Sequence, residues 1–187
     1  MPSGRTRGSI GIVTERLHSR VDSGIRLDPL GRFWHDEEIV VNPAIARAWH
    51  KGLERADDGR YLVRFGRDWA FVTVEDAPYT VRRLLAGMDG RFHLLLSDES
   101  EEVLEPRTLA RSAEGIVYCR VKGDHRARFS RQAQADLMEF LHEEGPGRFF
   151  LVRGADRWPI GNDPGTPPPL PEQGPVPADN LPPGLRR

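Results

Sequence analysis

Two stretches of this chain, GRYLVRFGRDW at residues 59–69 and GRFFLVRGADRW at residues 147–158, pass through the same order of side-chain types. Each begins Gly-Arg-aromatic, carries an apolar pair followed by Arg, passes through Gly and closes with Asp and Trp. Their surroundings repeat as well. Residues 25–28 and 32–35 read as strands around Pro29-Leu30-Gly31. Asn42-Pro43 then opens a helix, Asn capping free N–H groups and Pro suiting the first helical position. Ile45, Trp49 and Leu53 recur at helical spacing and predict one apolar face, ending near Asp57-Asp58-Gly59. From Ile116 the order returns, with strands at 116–121 and 126–129 around Lys122-Gly123-Asp124. Ser130 caps a second helix with Ala133, Leu137, Phe140 and Leu141 on one face, and Gly145-Pro146-Gly147 stops it. A strand at 148–152 then leads to Trp158. From the first Ile to the strand-opening Gly is 34 residues in one half (25 to 59) and 31 in the other (116 to 147). Four ordered elements at similar spacing predict an internal duplication. A few strands and one helix are too small to bury a core alone, so the copies are expected to pack together and leave a cleft between them.

The remaining chain fills in around these units. Residues 60–65 and 69–74 predict short strands about Gly66-Arg67-Asp68, and 81–86 and 92–96 a hairpin turning at Met88-Asp89-Gly90. The acidic SDESEEVLEP predicts a solvated loop with a short edge strand. The first two dozen residues are rich in Gly, Ser and Arg and predict a loose arm, with a short helix around 14–20. From Pro159 onward the chain holds ten of its sixteen prolines, a composition that cannot bury a core and favours extended conformations. The expected division is an arm at 1–23, a first α+β repeat at 24–90, a second at 91–162 and a disordered Pro-rich tail at 163–187. PPPLP in that tail would also suit an SH3-like partner.

Composition narrows the chemistry. The 27 Lys and Arg balance 28 Asp and Glu, which argues against nucleic-acid binding by bulk charge. The basic charge is almost all Arg, with Lys only at Lys51 and Lys122, which points to composition bias rather than chemistry. Cys119 is the single cysteine, so an internal disulfide and a multi-Cys zinc site are excluded. In the strand IVYCRV it is expected as a small buried side chain. The six histidines (His18, His35, His50, His93, His125 and His142) show no i,i+4 pairing and no acidic partner at metal-site spacing. No metal and no cofactor is therefore expected. No G-x-G-x-x-G follows a strand, and neither a GK[ST] loop nor a G-x-S-x-G elbow occurs. No apolar run approaches the ~18 residues of a membrane span, and 10–13 is too short for a signal-peptide core, so a cytoplasmic protein with no membrane partner is expected.

The densest polar–aromatic stretch is VEDAPYTVRR, residues 74–83. Ala77 before Pro78 is biased to extended backbone, and Asp76 is placed to brace the turn. Glu75, Asp76, Tyr79 and Arg82 then sit near a strand end, where Arg82 would meet an anion and Tyr79 would stack or hydrogen-bond. The plainer alternative is a rigid corner joining the halves. The Arg–aromatic strands would suit stacked bases and phosphates. Yet Tyr61, Val63 and Phe65 fall on one face, which favours Trp69 and Trp158 in the core with Arg side chains reaching outward.

IRLDPLGRFWHDEEIVVNPAIARAW, DGRYLV, VEDAPY, YCRVKGDHRARFSRQAQADLMEFL and RWPIG span residues 24–161. Together they resemble the bacterial domain-of-unknown-function family numbered 1285. The resemblance implies a duplicated α+β body whose C-terminal half is loosely pleckstrin-homology-like. It also implies a ligand site at the interface, for a nucleotide-type molecule, and a link to signal transduction. The chain is accordingly expected to be a non-catalytic regulator that binds a small anionic ligand between its repeats. The candidate contacts are Asp76, Tyr79, Arg82, Arg120, Arg126 and Trp158. Two alternatives stand beside it: a protein–protein adaptor using the Pro-rich tail or a sheet edge, and a hydrolase with Asp76 or Glu75 as base.

Overall fold

A single carboxylate organises the first hairpin. Asp28 accepts the backbone N–H groups of Leu30 and Arg32, both at 2.9 Å, and the Arg32 Nε and Trp34 Nε1 at 2.7 and 2.9 Å. It thereby closes strands β1 (Ile25–Leu27) and β2 (Phe33–His35) around Pro29-Leu30-Gly31, as the turn residues predict. The computed structural model describes residues 22–163 and residue 165. The expected helix around 14–20 and nearly all of the Pro-rich tail lie outside them.

After β3 (Glu38–Ile39), the Asn42 side chain accepts the Ala44 N–H at 2.9 Å and opens α1 (Pro43–Lys51). The helix stops well before the predicted end near residues 57–59. Gly52 lies against the neighbouring strand so closely that a Cβ there would sit 2.1 Å from the Arg64 carbonyl oxygen. The Gly52 carbonyl in turn accepts the Arg64 N–H at 2.8 Å. The chain is thus pinned and turns straight into β4 (Leu53–Arg55), followed by β5 (Tyr61–Phe65) and β6 (Asp68–Val74). The apolar face predicted for the helix is correspondingly broken up. Leu53 is buried in a strand, Trp49 packs edge-on against Phe33 at 5.3 Å, and Ile45 is 43% exposed. The first sheet has the order β3-β2-β1-β6-β5-β4, with β6 running parallel to β1.

The second sheet begins with β7 (Tyr79–Ala86), β8 (Phe92–Leu96) and β9 (Glu101–Val103), the last being the short edge strand expected in the acidic stretch. A one-turn 3-10 helix (Pro106–Thr108) leads to β10 (Ala110–Arg111), β11 (Val117–Val121) and β12 (His125–Phe129). Ser130 Oγ accepts the Ala133 N–H at 3.1 Å to cap α2 (Arg131–Met138), which packs on β7. Asp136 of α2 accepts the Leu84 N–H at 3.0 Å and the Arg83 Nε at 2.8 Å. The helix ends before Phe140 and Leu141. Phe140 rests edge-on against Phe92 at 4.9 Å, and Leu141 opens a three-stranded sheet of β13 (Leu141–Glu143), β14 (Phe149–Arg153) and β15 (Asp156–Pro159). β16 (Gly161–Asn162) then returns to the edge of the second sheet, whose order is β16-β10-β11-β12-β7-β8-β9.

The architecture is α+β, mostly β-sheet with two helices among the described residues. One apolar cluster runs through it, from Leu27 and Phe33 through Val81, Leu94 and Phe129 to Leu151. The sheets change over between Val74 and Tyr79, upstream of the division at residue 90 expected from sequence. Tyr79, Val81 and Leu84 on β7 are all buried against the second sheet's core, so β7 belongs there. Asp163, expected in the tail, is folded as well: its N–H donates to the Arg111 carbonyl at 3.0 Å. The two similar stretches that introduce the sequence are each an antiparallel hairpin, turning at Gly66-Arg67 and Gly154-Ala155. Their sheets close differently, since β6 continues into the first sheet while β15 ends a sheet of its own.

Candidate functional site

The corner at VEDAPY is held from inside. The Asp76 side chain, 8% exposed, faces Arg128 Nη1 at 2.8 Å and Arg126 Nη1 at 3.4 Å, and accepts the Tyr118 hydroxyl at 3.0 Å. Arg126 also pairs with Asp163 at 2.7 Å and lies over the Tyr118 ring at 3.7 Å. Burial, then the Asp76 charge, raises the Tyr118 phenol above its ordinary pKa. Two expected contacts, Asp76 and Arg126, are therefore brought together but engaged with one another.

Tyr79 is buried, its hydroxyl donating to the Leu53 carbonyl at 3.4 Å. Its ring stands edge-on to His125 at 5.6 Å, and burial pushes its phenol up to about 12. Arg120 is exposed and donates to the Asp124 carbonyl at 3.1 Å within its own hairpin. Trp158 is half-buried beside a shallow surface depression that it lines with Glu105, Pro106 and Arg107. Several arginines of the two similar strands are engaged by neighbours within the fold, some of them at its surface. Arg60 lies over Phe71 at 3.9 Å, Arg64 pairs with Glu54 at 2.9 Å, and Arg157 covers Phe150 at 3.7 Å. Arg153 donates to the Arg91 and Gly87 carbonyls and clamps the three-stranded sheet onto the β7–β8 turn. Trp69 is buried in a small cluster with Ala56, Leu62 and Phe71.

Arg82 goes elsewhere. In the β7–β8 ladder Val81 faces Leu96 and Arg83 faces Leu95, so Arg82 is the extra residue of a bulge. Such bulges re-aim side chains. Arg83 turns to Asp136, whereas Arg82 lines a cavity of about 270 Å³ on the seam between the sheets. The tip of the first hairpin forms one side of this cavity. Gly31 (φ 75°) approaches β7 so closely that a Cβ there would lie 2.4 Å from the Thr80 hydroxyl oxygen. Phe33, Ile39, Val40, Pro43 and Ala46 make the cavity apolar, and Arg32, Arg47, His50 and Glu99 add polar groups.

Most of these polar groups are already matched. Arg32 pairs with Asp28 at 2.7 Å. Glu99, on the β8–β9 turn with an uncommon φ of 67°, takes Arg47 at 2.9 Å and Lys51 at 2.8 Å. The hydrogen bond from Lys51 and the nearby Arg47 charge keep the Glu99 carboxyl below its usual range. Among the described residues Arg82 has no carboxylate within ion-pair distance. His50 is 4% exposed, with Nε2 3.2 Å from the Gly31 carbonyl. Burial, reinforced by the Arg82 charge, lowers its pKa to about 4, so the ring is neutral near pH 7.

No group of three or more His, Cys, Asp or Glu residues among those described is arranged to hold a metal ion. Cys119 is buried as its strand predicts, and burial pushes its thiol up to about 12. No helix among the described residues is long and apolar enough to cross a membrane. Of the six expected contacts only Arg82 reaches the seam cavity. His50 and Glu99 line it as well, and neither is marked in the sequence, because a buried His and an acidic turn carry no local signal of their distant neighbours.

No family model matches the chain, and no curated protein matches it in sequence. Its fold is shared by a DUF1285 family protein from Silicibacter pomeroyi DSS-3, with a TM-score of 0.59 and 18% identity over 76% of this chain and 81% of that one. A DUF1285 family protein from Shewanella baltica OS155 is similar too, with a TM-score of 0.52 and 14% identity over 65% of this chain and 94% of that one. At such identities the likeness is one of fold. The family whose solved proteins share this fold is thus the same family that the sequence resembles.

Proposed function

We propose that the protein binds a small anionic molecule in the seam cavity and acts as a non-catalytic regulator. The observation that carries this proposal is Arg82, a bulged guanidinium with no carboxylate partner among the described residues, set at an apolar cavity between two sheets. A guanidinium offers a planar fork that matches carboxylate and phosphate oxygens. At about 270 Å³ the cavity lies below the ~300–1,000 Å³ of drug-sized pockets, so the ligand is compact, a mononucleotide at most. Asp76, Tyr79 and Arg126 contribute by fixing the corner from which β7 departs. The hydrolase alternative loses support, because Glu75 pairs with Arg26 at 2.9 Å and Asp76 with two arginines.

The matching order of hairpin, helix and three-strand meander supports descent of both halves from one unit. The helix packed on a seven-stranded sheet is what favours a pleckstrin-homology-like C-terminal half. Thermal-shift measurement against mononucleotides and small aryl carboxylates and phosphates tests the ligand assignment. At least one is expected to raise the melting temperature, and Arg82→Ala to remove that rise. A panel without any rise, or a rise that survives Arg82→Ala, would overturn it.

A further inference from the structure

We infer that the seam cavity selects a dianion, a compact phosphomonoester rather than a monocarboxylate. This rests on the cavity being the ligand site and on the balance of charge around it. Arg32, Arg47 and Arg82 line the cavity, and Lys51 joins them through Glu99. Two carboxylates, Asp28 and Glu99, stand against these four cations. Asp28 is taken by Arg32 at 2.7 Å. Glu99 is divided, with Arg47 Nε at 2.9 Å from one oxygen and Lys51 Nζ at 2.8 Å from the other. The Arg82 charge reaches Glu99 without pairing with it. Two positive charges are therefore left over. Asp98, next to Glu99 in the chain, does not cancel them: it is turned to Lys122 at 3.0 Å and its side chain is only 11% exposed.

A ligand entering from solvent can reach these groups. Arg82 is exposed, and the side chains of Arg47, Lys51 and Glu99 are 56, 53 and 38% exposed. Glu99 meets Arg47 at Nε, and a guanidinium carries further N–H donors for a second anion. Arg82 on β7 and Arg47 on α1 line the same cavity, so an anion between them faces positive charge from two elements. A phosphoryl group, with three acceptor oxygens and close to two charges near neutral pH, answers that arrangement more fully than a carboxylate. Ile39, Val40, Pro43 and Ala46, none of them sealed from solvent, give the ester's organic group an apolar wall that inorganic phosphate cannot use.

Calorimetric titration of the full chain with phenyl phosphate and phenyl sulfate, alike in ring and tetrahedral head, isolates the second charge. At about pH 7.5 the phosphate is above its second pKa of roughly 6, and it is expected to bind about tenfold tighter than the sulfate. At about pH 5 it carries a single charge, and the ratio is expected to fall toward one. Glu99 stays ionised in that range, since its carboxyl lies below its usual value. Glu99→Gln leaves one more positive charge unmatched and is expected to widen the ratio at the higher pH, whereas Lys51→Met is expected to narrow it. Equal affinities at both pH values, or a ratio that neither variant moves, would overturn the dianion selection and leave the anion site standing. Inorganic phosphate binding as tightly as phenyl phosphate would overturn the monoester class. Binding by none of the three would overturn the phosphoryl assignment, and the Arg82→Ala panel then decides the cavity separately.

Discussion

At the scale of single residues, His50 sets a pH dependence with a definite sign. Its pKa falls from 6.5 in the unfolded chain to about 4 in the fold, first through burial and then through the Arg82 charge. Above pH 6.5 neither state takes up the proton, and the full stability is present. Between 6.5 and 4 the unfolded chain binds a proton that the folded ring refuses, so stability falls, by roughly 3 kcal/mol in the limit. His125, also lowered by burial, acts in the same direction. Asp28, Asp98 and Asp136 are held below 3.8 and lose their contribution only at more acidic pH. The difference between the native protein and His50→Phe therefore isolates His50. Urea midpoints are expected to fall less for the variant between pH 6.5 and 4.5, and parallel slopes would refute the assignment. Little of this was legible in sequence. His50 sits in an ordinary amphipathic helix, and the Gly31 carbonyl and Arg82 charge that act on it stand 19 residues before and 32 after it.

At the scale of elements, Gly52 opposes two physical effects of different size. Helix propensity favours Ala over Gly by about 1 kcal/mol. A Cβ at Gly52 would nonetheless meet the Arg64 carbonyl at 2.1 Å, backbone that cannot swing aside. Overpacking of this kind costs about 1–3 kcal/mol or more, so Gly52→Ala is expected to lower the melting temperature despite its better propensity. A raised melting temperature would show that the α1–β4 junction is looser than described. The same residue explains where sequence reasoning overran. Ile45, Trp49 and Leu53 keep a helical period, and nothing local reveals that β5 lies against Gly52. The longer hairpins were readable because their alternation is local: 92–96 matches β8, and 81–86 falls within β7. The two- and three-residue strands β3, β4, β10, β13 and β16 carry too few residues for any period. The bulge that frees Arg82 is likewise invisible in VRR, since it arises from pairing with β8.

At the scale of the whole molecule, the shared apolar cluster and the Asp76 corner join both sheets into one unit. Asp76→Ala would deprive Arg126 and Arg128 of their common carboxylate, Arg126 being only 11% exposed at its side chain. Breaking a buried pair on one side costs about 3–5 kcal/mol. Glu75→Ala removes a more exposed pair with Arg26 and is expected to cost under ~1 kcal/mol. Urea unfolding of Asp76→Ala, followed by tryptophan fluorescence and circular dichroism together, is expected to shift as one transition. Two separated transitions, or equal costs for both variants, would mean that the corner does not couple the sheets. The sequence did mark Asp76 as a brace. Its arginines stand 50 and 52 residues further on and meet it only because β12 runs parallel to β7, a crossover that no local pattern announces.

The place of Asp163 in the fold also bears on how the protein is made. Chains emerge from the ribosome N-terminus first, and domains commonly fold as they appear. Here β16 and Asp163, the edge of the second sheet and the second carboxylate on Arg126, come late in the chain, near the end of the described residues. The strands of the first sheet are all present once residue 74 has emerged, but their apolar residues belong to a cluster that reaches Leu151. A nascent chain halted short of residue 163 therefore lacks the β16 edge and the Asp163 carboxylate, and completion of the second sheet waits for them rather than proceeding half by half.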